Sequence, residues 1–226
     1  MGAADRRRVA RENAAQRRAY LAATQAASQN TYWHGGQPGL TVGQLLRPPK
    51  DVPVALERFN AQAANIQGTA YGDHPGRTDR VYVTTDRQLA RCFAHKMRDD
   101  FGQSIGALYR VQPIGAPESD PDYETVAPGL SASCSAARIE EVEEDPVVMT
   151  LEEERAAAGK YQTWKNGDPM YDADGGVLPN EEMRKHGLTK TDLGALWAPW
   201  TPWLKIDADR ARLNRYISEK RRRASS

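Results

Sequence analysis

Apolar and polar positions alternate in several short stretches, and the period of two reads as strand. Arg80-Val81-Tyr82-Val83-Thr84 is rich in β-formers, and so are Ile105-Gly106-Ala107-Leu108-Tyr109-Arg110-Val111 and Ala137-Arg138-Ile139-Glu140-Glu141-Val142. Pro113 is expected to end the second of these, because a residue without a backbone N–H cannot donate to a ladder. Val147-Val148-Met149 is short and apolar enough for a further strand, and Thr31 to His34 reads as one that ends on a histidine before Gly35 and Gly36.

Helical periodicity is confined to three places. Val52, Leu56, Phe59, Ala63 and Ile66 fall at alternating spacings of four and three, which predicts a helix from about Pro53 to Ile66, with Gln67 to Asp79 as loop. Thr85 with Gln88 forms a capping-box pattern ahead of a helix whose apolar face is Leu89, Cys92, Phe93 and Met97. Thr150 with Glu153 repeats that pattern before a Glu- and Ala-rich helix that Gly159 ends. Residues 3–28 are good helix formers whose few apolar positions make no stripe, so this span is a solvent-exposed helix or a disordered basic arm. Several strands, few helices and no regular alternation between them predict an α+β fold. The composition divides the chain into an arm over 1–30, a domain over 31–150 and a Trp-rich, basic extension over 151–226.

Composition changes this picture in two ways. Hydrophobic residues make up 39% of the 226 and charged residues 27%, so part of the chain is expected to be solvated. The net charge of +1 hides an uneven distribution. Met1–Asn30 holds six arginines against two acids, a net +4, and Lys205–Ser226 holds eight basic residues against three acids, a net +5, which leaves −8 for the span between them. Two cysteines, Cys92 and Cys134, are too few for a disulfide framework or a structural zinc site and fit a reducing cytoplasm. No apolar run approaches the roughly 18 residues of a membrane span, and no apolar stretch follows the arginine-rich start, so no membrane partner is expected.

Trp197, Trp200 and Trp203 stand close together between prolines. Rings of this size are worth a few kcal/mol each when buried, so they predict a small packed module, a patch folded on the main domain, or a protein-binding surface. The common nucleotide, metalloprotease and hydrolase motifs are missing, and Asp172-Ala173-Asp174-Gly175 fails as a calcium loop at its later positions, so no metal is expected.

Three residues stand out by order and context: His34 at a strand end before two glycines, Tyr82 inside an aliphatic strand, and Asp120 in the acidic turn Glu118-Ser119-Asp120-Pro121-Asp122. Around them lie Tyr32-Trp33-His34-Gly35, Leu40-x-x-Gly43-x-Leu45-Leu46-x-Pro48, Val81-Tyr82-Val83-Thr84, Leu108-Tyr109-Arg110-Val111-x-Pro113-x-Gly115, Glu118-Ser119-Asp120-Pro121 and Arg138-Ile139-x-x-Val142. This collinear set, over residues 31–145, resembles the rifamycin ADP-ribosyltransferase family, small enzymes of the histidine–tyrosine–carboxylate type. The resemblance implies a compact split β-sheet core gripping NAD⁺, which acts as co-substrate and releases nicotinamide.

Cleaving the ribose–nicotinamide bond passes through an oxocarbenium-like centre, so an enzyme must hold the ribose, orient the ring and stabilise developing positive charge. The resemblance assigns catalytic roles to His34, Tyr82 and Asp120 and cofactor binding to His34, Gly35, Gly36 and Tyr82. His34 would hydrogen-bond a ribose hydroxyl, the glycines would let backbone approach the dinucleotide, and Tyr82 would stack on the cationic ring. Asp120 would support the cation or help deprotonate the acceptor, and Asp122 and Glu118 in the same turn share that chemistry.

The chain departs from the family at Gly36, where a small hydroxyl residue is usual, and at Ser119, where a further acid is usual. It also has a long insertion between the first two motifs and extended termini. These departures bear on the acceptor, which is a rifamycin-like small molecule, a protein or a nucleic acid. Two other readings stand beside this one: a non-catalytic scaffold whose basic ends grip nucleic acid or an acidic partner, and an NAD⁺-dependent RNA 2′-phosphotransferase.

Overall fold

The computed structural model describes residues 30–53, 55–57, 77–99, 101–124 and 126–224. The arm over 3–28 lies outside them, as do residues 67–76 of the expected loop and most of the helix expected over Pro53–Ile66, of which residues 53 and 55–57 are helical. The chain divides into two compact units, Met1–Val148 and Met149–Ser226.

The first unit is α+β. Its strands are β1 (Tyr32–Gly36), β2 (Leu45–Leu46), β3 (Val81–Thr84), β4 (Ala107–Ile114), β5 (Glu118–Ser119), β6 (Ser131–Cys134) and β7 (Ala136–Glu144). They form one antiparallel sheet in the order β2-β7-β4-β1-β3-β6-β5. β1 runs against β4 from Tyr32↔Val111 to Gly36↔Ala107, yet it shares only the pair Trp33↔Thr84 with β3. The sheet is therefore two halves joined at one register position. One face carries the core of Tyr32, Val81, Val83, Tyr109, Val111 and Ile139.

Helix α1 (Arg87–His95) lies on the other face. A Cβ built on Gly35 would fall 1.8 Å from the Ala90 carbonyl oxygen, and one on Gly106 would fall 2.1 Å from that of Ala94. Gly35 on β1 and Gly106 just ahead of β4 thus let the helix backbone itself rest on the sheet. The expected apolar face holds at Leu89 and Cys92, which are buried together with Ala90 and Ala94, while Phe93 is 45% exposed.

Other expectations are also corrected. The N-cap of α1 is Asp86, whose carboxylate accepts from the Gln88 and Leu89 amides, while Thr85 donates its hydroxyl to the Gly129 and Leu130 carbonyls. An ionised carboxylate is the stronger acceptor for the helix amides and also complements the helix dipole. β4 does not stop at Pro113 but continues to Ile114 against β7. Its other neighbour, β1, ends at Val111, so Pro113 lies where one side of the strand has no partner. Val147–Met149 is not a strand; the Val147 amide bonds the Gly106 carbonyl at 2.8 Å and its own carbonyl accepts from Ser104 Oγ at 2.6 Å.

The second unit holds α2's successors along the chain. After α2 (Pro121–Glu124) in the first unit come α3 (Leu151–Gly159), α4 (Glu181–Lys185), α5 (Lys190–Gly194), α6 (Trp203–Ala208) and α7 (Arg210–Ala224). The Thr150–Glu153 capping box is present at α3. Trp164 and Trp197 are buried with Met170, Tyr171, Val177, Leu193 and Ile206, and Trp200 and Trp203 pack against them. The indole N–H of Trp164 donates to the Leu178 carbonyl at 3.1 Å and that of Trp197 to Asp209 at 3.2 Å. The tryptophans therefore belong to the core of a small packed module, with the polar edges of Trp164 and Trp197 satisfied. No helix among the described residues is long and apolar enough to cross a membrane.

Candidate active site

Where β1 and β3 part after their single pair, the His34 ring bridges the opening. Its Nδ1 lies 2.8 Å from the Tyr82 backbone carbonyl oxygen. A carbonyl oxygen only accepts, so Nδ1 carries the hydrogen, and in the neutral ring Nε2 presents a lone pair to an incoming hydroxyl. Burial holds the His34 pKa below its ordinary value, against the smaller opposing effect of the Tyr82 bond. The neutral ring is thus the resting form at neutral pH.

The two glycines after His34 have different jobs. A Cβ on Gly36 would lie 2.4 Å from His34 Nε2, so the bare glycine makes room for the imidazole. Gly35 points to the opposite face of the strand, toward α1.

Tyr82 is half-buried on β3, and its hydroxyl accepts from the Arg77 amide at 2.8 Å. Register then places the acids. Tyr82 pairs with Ser133, and Ser133 with Glu118, so one row crosses β3, β6 and β5. Directly opposite residues in an antiparallel sheet share a face, so Tyr82, Ser133 and Glu118 project to the same side. The next row joins Trp33, Thr84 and Ser131, and the Asp120 amide donates to the Ser131 carbonyl at 3.1 Å. Ser131 Oγ also donates to Asp120 Oδ2 at 2.7 Å, and both residues are buried.

The sequence-derived residues are therefore brought together in part. His34 is bonded to the Tyr82 backbone; Asp120 is held two strands from β1, on Ser131 of β6. Glu118 is exposed and is held by Arg77 and Arg80. Asp122 lies in α2, and its side chain is outside the described residues.

Arg77 and Arg80 are the residues that sequence reasoning missed. Arg77 also pairs with Asp79 at 2.8 Å, and that contact raises its pKa above the ordinary guanidinium value. Arg80 Nε is buried without a hydrogen-bond partner. Arg80 and Tyr82 stand two apart on one strand run, so the alternation of Arg80-Val81-Tyr82 was the available signal. Cys134 offers no nucleophile at neutral pH, because burial pushes its thiol up to about 11.

The loop at Asp172 has its own tie. Asp172 Oδ1 accepts from the Asp174 and Gly176 amides at 2.9 Å each, and the carboxylate pairs with Lys190. Among the described residues no group of three His, Cys, Asp or Glu side chains is placed to hold a metal ion.

No protein-family model matches the chain, and no curated protein matches it.

Proposed function

We propose that the first unit is an NAD⁺-dependent mono-ADP-ribosyltransferase with the split-sheet core that the sequence resemblance implies. The observation that carries this reading is His34 spanning the opening between two half-sheets that share one register pair and bonding the Tyr82 backbone, with two carboxylates on the side of the sheet to which the Tyr82 ring projects. NAD⁺ is the substrate. The neutral His34 Nε2 accepts from a ribose hydroxyl and fixes the sugar, while the Tyr82 ring supports the cationic nicotinamide. The bond from ribose C1′ to the nicotinamide nitrogen breaks, and nicotinamide leaves neutral with the electron pair. A nucleophile on the acceptor then bonds C1′, and its proton passes to a carboxylate. Asp120, already held by Ser131, is suited to fixed electrostatic support of the oxocarbenium-like centre. Glu118, exposed and on the row of Tyr82, is suited to taking the acceptor's proton.

The test is nicotinamide release from NAD⁺ by the purified protein, alone, with rifampicin and with cell lysate as acceptor. Release is expected to disappear in His34→Ala and Tyr82→Ala with the fold retained. Glu118→Gln is expected to lose transfer to the acceptor while keeping slow hydrolysis of NAD⁺, whereas Asp120→Asn loses both. Absence of release in every arm from a folded wild-type protein overturns the reading.

Arg77 and Arg80 beside Tyr82 favour a second reading, the RNA 2′-phosphotransferase, which needs arginines at a phosphate. Offering a 2′-phosphorylated oligoribonucleotide with NAD⁺ separates the two. Loss of the RNA phosphate that depends on both arginines selects the second reading, and an unchanged RNA removes it.

A further inference from the structure

Helix α7 carries seven basic residues and one acid in fifteen positions, in a chain whose net charge is only +1. Its apolar side is already used: Ile217 is buried in the core of the second unit, and Leu213 and Tyr216 pack against it. Arg210 pairs with Asp207, Lys220 Nζ reaches Asp192 at 2.6 Å and the Gly187 carbonyl at 2.8 Å, and Arg221 reaches His186 Nδ1 at 2.8 Å. Arg212, Arg215, Arg222 and Arg223 are exposed. At 100° per residue they fall within an arc of about 100°, and at 1.5 Å per residue they span roughly 16 Å of the helix axis. Glu219 lies within the same arc.

We propose that this arginine stripe is a docking surface for the phosphodiester backbone of a double-stranded nucleic acid. The chemistry of the stripe selects this partner. Every cation in it is arginine, whose planar fork matches phosphate oxygens bidentately. The arc contains no apolar or aromatic residue, so it lacks the buried anchors on which a protein interface depends. A lipid surface is disfavoured for a related reason: the apolar side that would enter the acyl boundary is buried inside the unit. A strand of duplex presents a phosphate about every 3.4 Å along the axis, so the stripe is long enough to meet three or four of them. The contacts are to backbone and carry no base readout, so binding is expected to be independent of sequence. The inference stands apart from the catalytic reading of the first unit and does not depend on it.

Four arginines against one acid correspond to about three neutralised phosphates, which gives a slope near −2.7 in log affinity against log salt and about a 40-fold loss of affinity between 50 and 200 mM. The experiment is fluorescence polarisation of the full chain with labelled 20-bp duplex DNA and duplex RNA over that salt range. The variant R212Q/R215Q/R222Q/R223Q, checked for an unchanged circular dichroism spectrum, is expected to remove most of this slope and at least tenfold of the affinity at 50 mM. Glu219→Gln is expected to tighten binding several-fold. A second variant, R6Q/R7Q/R8Q, isolates the other basic end and is expected to leave the contribution of the stripe intact. The proposal is overturned if the fourfold variant binds as the wild type does. It is equally overturned if polyglutamate of matched charge, or vesicles rich in phosphatidylserine, displace the duplex as well as unlabelled duplex does.

Discussion

Gly35 and Gly36 are chemically identical neighbours, and the structure predicts opposite consequences for adding one methyl group to each. In Gly35→Ala the new Cβ would lie 1.8 Å from the Ala90 carbonyl oxygen, 2.7 Å from the Ala94 amide nitrogen and 2.8 Å from the Ala90 carbonyl carbon. All three are helix backbone and cannot turn aside. Restoring ordinary contact at about 3.5 Å requires α1 to retreat as a body. That retreat opens space beneath Leu89, Ala90, Cys92 and Ala94, each no more than 2% exposed. Overpacking of this kind costs about 1–3 kcal/mol and more where the neighbour is rigid. An alanine in a strand returns roughly 0.5–1 kcal/mol of backbone entropy. The expected net loss is therefore about 2 kcal/mol.

In Gly36→Ala the methyl group would meet His34 Nε2 at 2.4 Å and Cδ2 at 3.0 Å, both in a side chain that can rotate. The cost is the 2.8 Å bond to the Tyr82 carbonyl and an off-rotamer imidazole, about 1–2 kcal/mol before the same entropic gain. Urea unfolding of both variants, followed by far-ultraviolet circular dichroism with amide exchange of α1 as a local readout, measures the difference. Gly35→Ala should lose about 2 kcal/mol and expose the α1 amides, while Gly36→Ala should stay closer to the wild type and lose the NAD⁺ cleavage proposed above. A Gly35→Ala protein as stable as Gly36→Ala would refute the account of how the helix rests on the sheet.

Three further outcomes follow from single contacts. The His34 pKa is depressed below the ordinary value of 6.5, so between the folded and unfolded values the unfolded chain binds more protons. Stability from this group is complete above pH 6.5 and falls on acidification toward the folded pKa. Urea midpoints at pH 5.5 and 7.5 should therefore diverge more for the wild type than for His34→Gln, and an equal divergence would sink the assignment. Ser131→Ala removes the 2.7 Å donor to the buried Asp120 carboxylate and should cost about 2 kcal/mol in the same assay, against less than half of that for Ser135→Ala at an exposed position. Asp192 is held well below the ordinary carboxylate range, first by Lys220 and then by Thr189 and Tyr216. Its contribution is present above pH ~3.9 and lost as pH falls through the folded value. Asp192→Asn should cost about 1–2 kcal/mol at pH 7, a figure reduced for the partial exposure of Lys220, with the gap to the wild type closing in acid.

Strands β1, β3, β4 and β7 were legible because each carries β-branched or aromatic residues in a short run, a signal that survives without knowledge of partners. β6 was not legible. Ser131-Ala132-Ser133-Cys134 has no strand-forming bulk, and it is a strand because β3 and β5 pair with it on both sides. The same dependence hid β2 and β5, which are two residues each. It also misled at Val147–Met149, whose apolar run is spent on packing and on bonds to Ser104 and Gly106 rather than on a ladder.

The sequence by itself determined the chemistry on offer: a histidine before two glycines, a tyrosine in an aliphatic strand, an acidic turn, and basic ends around an acidic middle. Local rules also determined the Thr150–Glu153 cap, because a capping box is closed within four residues. Only the tertiary structure decided which of two glycines serves the histidine and which serves the helix, because that depends on what lies across each face of β1. Only register across β3, β6 and β5 put Glu118 on the row of Tyr82 and Asp120 on that of Ser131. Pairing between distant segments sets those rows, and a sheet has no local code for its neighbours.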